Sequence, residues 1–334
     1  MQIKKILWAS DGSKESLEAL KWAVIFATRY DAKITALNVI ESTNISTLKV
    51  SDDLKKDISL VDCVMGKTEA RRLDGVSKIL RKKGIKVETR VARGAPPQEI
   101  VNAAQSLGID LIAMGKRGLT SWGRMLLGST TARVLREAHV PVMAVRRTVR
   151  RHVVKKILVP TTLFPKDTVS LELGVELARK FGATLLVLRV IEAHKSYGAV
   201  KGGFVGRLRQ AANKQLRAML DSVPSRKLKG VNLVEKVTTF PRAWAGIVNF
   251  AKDDGIDVIV MSTHARKGVP RFFLGSVAEA VIEEARCPVI AVPPSFHSPA
   301  QSYIEPSIEG KFKERRPQVV SLPCDQDNVA GPAG

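Results

Sequence analysis

The sequence predicts an α/β protein made of two tandem copies of an open, doubly wound, five-stranded parallel sheet with helices on both faces. Short apolar runs typical of buried strands alternate with segments of helical periodicity, and this alternation gives a parallel sheet with right-handed crossovers. In addition, stretches of the first half recur roughly 150 residues later, a period far longer than the ~20–50 residues of solenoid repeats. A whole domain is therefore duplicated.

Four stretches carry the duplication. The corresponding pairs are Lys4–Ser10 and Lys155–Thr161, Gly108–Met114 and Gly255–Met261, Leu127–Ser129 and Leu274–Ser276, and Val140–Val145 and Cys287–Val292. They keep the same order in both halves, which indicates that the two domains share one topology.

In the first half, strands are predicted where apolar runs end at turn residues, namely at Ile3–Ala9, Ile34–Ile40, Lys86–Ala92, Asp110–Met114 and Val140–Val145. Helical spacing begins at Ser16, and Thr68–Lys83 is predicted to be a helix that ends at Gly84. A further helix runs from Pro96 to Leu107, because proline suits the first helical turn. Residues 41–67 are less regular and are expected to mix loop with helix.

The second half repeats this order. Its strands are predicted at Lys156–Pro160, Thr184–Val190, Asn232–Thr238, Asp257–Met261 and Pro288–Val292, and its helices at Thr168–Phe181, Leu208–Leu220, Arg242–Asp253 and from Ser276 onward. A glycine-rich loop is expected around residues 198–206. Domains are accordingly expected at residues 1–147 and 156–295, joined by a basic linker at 148–155 and followed by a low-complexity tail at 296–334, disordered or draped on the surface.

The loop after the Asp110–Met114 strand contains Gly115, Gly118 and Gly128, and it leads into a helix from Thr130 with Ser129 as the predicted N-cap. Glycines let a backbone approach a ligand closely, and the N–H groups at a helix start attract anions, so this loop is predicted to cradle phosphate. It is not a Walker A loop, because no Gly-x4-Gly-Lys-Ser/Thr occurs in the sequence. Glycines that only serve turns are the alternative.

The predicted topology brings this loop to a second stretch. With the strand order 3-2-1-4-5, the first and fourth strands flank the point where the order reverses, which is where open parallel sheets bind ligands. The Ser10–Asp11 turn and the Gly115–Ser129 loop should therefore converge on one crevice, although about 100 residues separate them. A carboxylate or hydroxyl beside a phosphate loop suits a base or a ribose hydroxyl.

Composition restricts the class of protein. The formal net charge is +22, with an excess of +12 in residues 1–150 (27 basic, 15 acidic) and +10 in residues 151–334 (27 basic, 17 acidic). Such a field attracts nucleic acid, anionic membrane and nucleotide polyphosphates non-specifically, or belongs to a solvated surface without a partner. Three scattered cysteines without a CxxC pair argue against a disulfide framework or zinc site and favour a cytoplasmic location. No membrane helix or signal peptide is expected.

With these residues in view, the chain resembles a tandem member of the universal stress protein family over about residues 3–293. The resemblance rests on the Gly115-x2-Gly118-x9-Gly128-Ser129 spacing, the Asp11 turn, the Leu37–Ile40 strand end and the terminal Pro-Val-x-Ala-Val strands. It implies an ATP-binding first domain, with ADP or AMP as alternatives and Mg²⁺ as the accompanying ion. The implied nucleotide-binding residues are Ala9, Ser10, Asp11, Val39, Met114, Gly115, Arg117, Gly118, Gly128, Ser129, Thr130 and Thr131.

The resemblance has two further implications. The final strands of family members pair across a dimer interface, so Val140–Val145 and Cys287–Val292 are expected to pair within this chain as an internal pseudo-dimer, and a homodimer is left open. The second domain departs from the motif, with Thr162 in place of Asp11, Ser262 in place of Gly115 and Ala265 in place of Gly118. A weak second site would consist of Thr161, Thr162, Val190, Ser262, His264, Ala265, Gly275 and Ser276.

The leading functional hypothesis is a stress-response regulator that binds an adenine nucleotide in its first domain and recruits a protein partner that the sequence does not identify. Real turnover is not expected, since no Ser/His/Asp or Cys/His constellation is evident. Slow ATP hydrolysis or autophosphorylation at Ser129, Thr130 or Thr131 is one alternative. A scaffold without nucleotide is another, and a protein that binds nucleic acid non-specifically through its basic clusters is a third.

Overall fold

The computed structural model describes residues 2–41, 52–118, 127–146, 152–163, 168–193, 203–221, 223–263, 274–294 and 296. Ten strands fall within these ranges: β1 (Lys5–Ala9), β2 (Lys33–Ile40), β3 (Val87–Arg93), β4 (Leu111–Gly115), β5 (Val142–Val145), β6 (Lys156–Pro160), β7 (Thr184–Glu192), β8 (Asn232–Phe240), β9 (Val258–Ser262) and β10 (Val289–Val292). The helices within the same ranges are α1 (Lys14–Tyr30), α2 (Asp52–Lys82), α3 (Pro96–Ser106), α4 (Ser129–Glu137), α5 (Thr168–Phe181), α6 (Phe204–Asp221), α7 (Ser225–Leu228), α8 (Ala243–Asp253) and α9 (Ser276–Glu284).

The strands form one sheet in the order β3-β2-β1-β4-β5-β10-β9-β6-β7-β8. The first five strands are parallel and have the predicted order 3-2-1-4-5, and the last five repeat it as a second parallel unit. The sequence prediction of a duplicated, doubly wound fold is confirmed. The antiparallel pairing of β5 with β10 joins the two halves, with Met143 opposite Ile290.

Apolar side chains on both faces of the sheet explain why the strands read as continuous hydrophobic runs. Along β1, Ile6 and Trp8 point into one core, whereas Leu7 and Ala9 point into the other. The first core packs against α1, α2, α5 and α6, and the second against α3, α4, α8 and α9. The first core continues across the junction, where the rings of Phe26 in α1 and Phe181 in α5 lie 5.1 Å apart.

Several element predictions need correction. The helix predicted at Thr68–Lys83 begins earlier, at Asp52, and ends at Lys82, so 52–67 is the helical part of the segment expected to mix loop with helix, and 42–51 lie outside the described residues. Helix α6 begins at Phe204 rather than Leu208, which places Gly206 inside the helix and not in a loop. The short helix α7 was not predicted. Residues 264–273 and 297–334, which include His264, Ala265 and nearly all of the predicted tail, lie outside the described residues, as do 148–151 of the predicted linker.

Candidate functional site

An open cleft of about 260 Å³ lies at the carboxyl ends of β1, β2 and β4, where the strand order reverses. All twelve residues predicted for the first-domain site line it: Ala9, Ser10, Asp11, Val39, Met114, Gly115, Arg117, Gly118, Gly128, Ser129, Thr130 and Thr131. The structure thus brings together the turn after β1 and the loop after β4, which are far apart in the sequence. This convergence follows from the topology.

Asp11 holds the turn after β1 and reaches toward the glycine loop. One carboxylate oxygen, Oδ1, accepts a hydrogen bond of 2.9 Å from the backbone N–H of Ser13. Gly12 between them has a φ of +81°, a left-handed conformation that glycine adopts without strain. A Cβ on Gly118 would lie only 2.9 Å from the other oxygen, Oδ2. The carboxylate of Asp11 therefore spans the space between the turn and the loop, and glycine at 118 leaves room for it.

The side chains of Asn38 and Arg72 hold the same turn through hydrogen bonds to Ser10. Asn38, at the end of β2, donates a hydrogen bond of 2.8 Å from Nδ2 to the carbonyl oxygen of Ser10. Arg72 of α2 donates one of 3.1 Å from Nη2 to the hydroxyl of Ser10. Ser10 is buried, so these bonds satisfy polar groups that would otherwise be costly to bury. The turn is thereby held rigidly at the edge of the cleft.

The start of α4 differs from the sequence prediction. The helix begins at Ser129 and its N-cap is Gly128, which has no side chain to cap the first turn. Ser129 as the N-cap is therefore wrong. Glycine occupies the position because the loop backbone passes it: a Cβ on Gly128 would lie 3.2 Å from the carbonyl oxygen of Lys116. Since no side chain caps the helix, its first N–H groups remain available at the cleft to an anionic ligand.

Thr131 and Glu15 tie the loop to its surroundings. The hydroxyl of Thr131 donates a hydrogen bond of 2.8 Å to the carbonyl oxygen of Gly115. The carboxylate of Glu15, in the first turn of α1, accepts one of 2.8 Å from the backbone N–H of Arg117. Burial raises the pKa of Glu15, although this hydrogen bond and the nearby charge of Arg117 oppose the shift. One donor of the glycine loop is therefore already used by a side chain of α1.

Lys116 lies between two cleft residues but points away from the cleft. Its side chain is 2% exposed, and Nζ donates a hydrogen bond of 2.8 Å to the carbonyl oxygen of Ala285, which follows α9 in the second domain. Burial lowers the pKa of Lys116 to about 8, with Cys287 and Glu15 opposing this effect and Arg146 and Arg117 adding to it. Burial also raises the pKa of the Cys287 thiol to about 12.

A comparison of the wild-type chain with Lys116→Met tests this burial through its pH dependence. Between pH 8 and 10.5 the unfolded chain binds more protons at this lysine than the folded chain does, so the stability of the wild type should rise with pH in this window. Relative to Lys116→Met, the free energy of unfolding of the wild type is expected to increase by about 1–3 kcal/mol from pH 7 to pH 10. Urea denaturation of both proteins at several pH values measures the difference. A difference that is the same at pH 7 and pH 10 contradicts the prediction.

The second domain keeps the backbone pattern but not the side chains. Thr161 occupies the place of Ser10: its N–H donates to the carbonyl oxygen of Leu188 at 2.9 Å, as that of Ser10 does to Leu37 at 2.8 Å. Thr162 follows it in place of the aspartate, so the turn is held instead by the hydroxyl of Thr161, which accepts a hydrogen bond of 2.9 Å from the N–H of Leu163.

The other described residues of the predicted second site keep their expected places. Ser262 ends β9, and its hydroxyl hydrogen bonds to that of Ser170 in α5 at 3.1 Å. Val190 lies on β7, Gly275 is the N-cap of α9, and Ser276 begins that helix. The carboxylate that spans the first cleft thus has no counterpart at the corresponding position of the second domain.

Sequence reasoning missed part of the cleft lining. The additional residues are Ser16, Leu37, Glu41, Pro96 and Ile100. Leu37 and Glu41 lie two residues on either side of Val39, which the sequence did indicate. Their positions in and just after β2 could therefore have predicted that they line the cleft. Pro96 and Ile100 belong to α3, and no local pattern indicates that this helix borders the cleft.

Comparison with known proteins agrees with this architecture. A model of the universal stress protein family matches residues 2–146 and, a second time, residues 154–293. The chain belongs to the universal stress protein family. It contains two such domains in tandem, as the sequence analysis predicted.

Relatives align with one domain at a time or with both. A universal stress protein of Methanocaldococcus jannaschii is 35% identical over 144 residues, which cover 43% of this chain and 82% of the relative. One from Bacillus subtilis is 30% identical over 145 residues, covering 42% of this chain and 98% of the relative. The crystal structure of a universal stress protein from Archaeoglobus fulgidus covers 88% of this chain and 100% of its own, with a TM-score of 0.66 and 22% identity. This last likeness shows that the tandem fold has a solved counterpart.

Two negative observations apply to the described part of the universal stress protein chain. None of its helices there combines the length and apolar character needed to cross a membrane. Within the same ranges, no group of three or more His, Cys, Asp or Glu side chains is arranged to hold a metal ion.

Proposed function

We propose that this universal stress protein binds an adenine nucleotide, ATP foremost, in the cleft of its first domain and acts as a nucleotide-dependent regulator rather than as a fast enzyme. One observation carries the proposal: a single cleft joins a carboxylate, Asp11, to a glycine loop and a helix start without a side-chain cap. These are the groups that a nucleoside phosphate requires at its two ends.

The cleft has a polar and an apolar part. Gly118 and the first turn of α4 offer backbone N–H groups, and Arg117 adds a positive charge, so phosphates belong at this end. Leu37 and Ile100 supply apolar surface at the other end, where a base would be buried. Apolar walls with a few polar groups that fix orientation are typical of small-molecule sites.

Magnesium would enter together with the phosphates. Mg²⁺ keeps several of its waters and needs only one or two protein carboxylates, so a dedicated cluster of ligands is not required. The cleft-lining carboxylates are Asp11 and Glu41. Either would supply the oxygen ligand that such an ion prefers.

We propose one nucleotide per chain. In the second domain Thr162 stands at the position of Asp11, and the loss of a carboxylate removes a strong charge-assisted acceptor. Ser262 stands at the position of Gly115, so a side chain occupies the place where the first domain has none. The second domain then serves mainly as a structural partner of the first.

Turnover in this proposal is slow at most. Of the three hydroxyls considered as phosphate acceptors, that of Thr131 is buried and bonded to the carbonyl oxygen of Gly115. Ser129 and Thr130, in the first turn of α4, line the cleft and are the phosphate acceptors to test. Mass spectrometry after incubation with ATP and Mg²⁺ detects a phosphate on either residue.

The test is to denature the purified full chain and identify what it releases. About one adenine nucleotide per chain is the expected result, or about one ATP bound per chain by isothermal titration calorimetry if the protein purifies empty. Two per chain would contradict the assignment to a single domain. No adenine nucleotide released and no ATP or ADP bound with Mg²⁺ would overturn the proposal. In that case, DNA binding that falls steeply with salt and lacks sequence preference would indicate a bulk-charge interaction instead.

A further inference from the structure

Both ends of the glycine loop contact the same helix of the second domain. At the start of the loop, Nζ of Lys116 donates a hydrogen bond of 2.8 Å to the carbonyl oxygen of Ala285, at the C-terminal end of α9. At the end of the loop, the backbone N–H of Leu127 donates one of 3.3 Å to Oε1 of Glu283 in the last turn of α9. The cleft of the first domain is thus attached to the second domain at two points.

The chemistry of these contacts favours a firm attachment. The last carbonyl groups of a helix have no partner within the helix and carry partial negative charge, so an ammonium group is a suitable cap for them. Lys116 supplies this cap from another domain, and its nearly complete burial keeps water from competing for the carbonyl group. The bond from Leu127 to Glu283 has a carboxylate as its acceptor but is long at 3.3 Å, so Lys116 makes the tighter of the two attachments.

The attachment is not symmetrical. In the second domain the position of Lys116 is taken by Thr263, whose backbone carbonyl accepts a hydrogen bond of 2.8 Å from Gly275, just as that of Lys116 accepts one of 2.9 Å from Gly128. The hydroxyl of Thr263 donates to the carbonyl oxygen of Val292 at 3.5 Å, within its own domain. A threonine side chain is also too short to match the reach of lysine. The second domain therefore holds the loop of the first without an equivalent lysine in return.

A buried ammonium group costs free energy, so its presence between two cleft residues calls for a role. We propose that helix α9 of the second domain supports the first domain's nucleotide site, with Lys116 and Glu283 as positioning residues that hold residues 115–118 and 127–131 in their binding conformation. This inference rests on the proposed function and deepens it. Because binding and positioning are linked, ATP bound in the first domain in turn restrains the end of α9.

The experiment compares Glu283→Gln and Lys116→Met with the wild-type full chain, and Glu284→Gln serves as the matched control on the neighbouring position of α9. Isothermal titration calorimetry with ATP and Mg²⁺ measures affinity. Hydrogen–deuterium exchange of the nucleotide-free proteins measures protection of the amides at residues 115–118 and 127–131. Glu283→Gln and Lys116→Met should weaken ATP binding by about fivefold to tenfold and speed exchange in these two segments, whereas Glu284→Gln should match the wild type.

The outcomes separate the two claims. Unchanged affinity and unchanged exchange in both variants overturn the inference and leave the proposed function intact. Weaker binding with faster exchange spread throughout β1 and β4 also overturns it, because that pattern reports general destabilisation rather than a loosened loop. If the wild-type chain binds no adenine nucleotide, the proposed function fails and the inference fails with it, while the exchange data still report whether α9 restrains the loop.

Discussion

Replacement of Asp11 by alanine is expected to weaken ATP binding by the full chain by about 100-fold. The substitution removes a charged acceptor from the cleft, and a hydrogen bond to a charged group contributes about 1.5–3 kcal/mol, or about 10-fold to 150-fold in affinity. It also frees the N–H of Ser13, which Oδ1 of Asp11 holds at 2.9 Å, so the turn itself loses its restraint. Isothermal titration calorimetry with ATP and Mg²⁺ measures the loss.

Asp11→Asn is the matched control for this prediction. Asparagine keeps an oxygen at the Oδ1 position and can still accept the hydrogen bond from Ser13, but it carries no charge. We expect its affinity to lie between those of the wild type and Asp11→Ala. A loss in Asp11→Asn as large as in Asp11→Ala would assign the effect to charge alone. Wild-type affinity in Asp11→Ala would remove Asp11 from the site.

Gly115→Ala is expected to lower both the free energy of unfolding and the affinity for ATP. A Cβ at residue 115 would lie 3.0 Å from the carbonyl carbon and the Cβ of Glu15 and 3.0 Å from the backbone nitrogen of Ser16. Two of these atoms belong to the backbone of α1, so they cannot move aside as a flexible side chain can. Overpacking of this kind costs about 1–3 kcal/mol, and β4 must shift away from α1 at the point where the loop begins. Urea denaturation and calorimetric titration measure the two effects.

Gly75→Ala is the control for a glycine that has no steric role. Gly75 lies in α2, and a Cβ added there would meet no atom of another element within 4 Å. Alanine at this position should therefore raise the free energy of unfolding by about 0.5–1 kcal/mol through its better helix propensity. ATP affinity should not change in this variant. If Gly115→Ala is as stable as Gly75→Ala, the close approach of β4 to α1 is not what requires glycine at residue 115.

Much of the fold was readable from the sequence because its signals are local and strong. Buried parallel strands are short apolar runs, and the duplicated stretches check each prediction a second time. Helix α2 was harder to predict: it exposes the apolar side chains of Val61, Val64, Met65 and Ile79, and Gly66 interrupts the pattern without ending the helix. The N-cap of α4 was missed for a different reason. Serine is the usual cap, but here the helix begins one residue earlier and Gly128 takes the cap position, where a Cβ would lie 3.2 Å from the carbonyl oxygen of Lys116.

The sequence predicted which residues line the cleft, but not which residues hold those residues in place. Asp11 and the glycines could be recognised by their residue types. The rule that ligands bind where the strand order reverses predicted that they lie together. The roles of Glu15 and Lys116 could not be recognised from residue type, because a charged side chain near a loop is usually solvated. Their roles arise from packing between α1, β4 and α9, which depends on how the two halves meet. Lys116 is buried against a helix end of the other domain, and this contact depends on the tertiary structure, so the spacing of residues in the sequence cannot predict it.

The pairing of β5 with β10 has a consequence for how such a molecule can evolve. When two identical subunits meet, every substitution appears on both sides of the interface, and dilution can separate them. Here the two sides are encoded separately and tethered, so the junction does not depend on protein concentration. One half can then lack the carboxylate and offer a helix end to Lys116 while the other keeps Asp11, a difference that an assembly of two identical subunits cannot have.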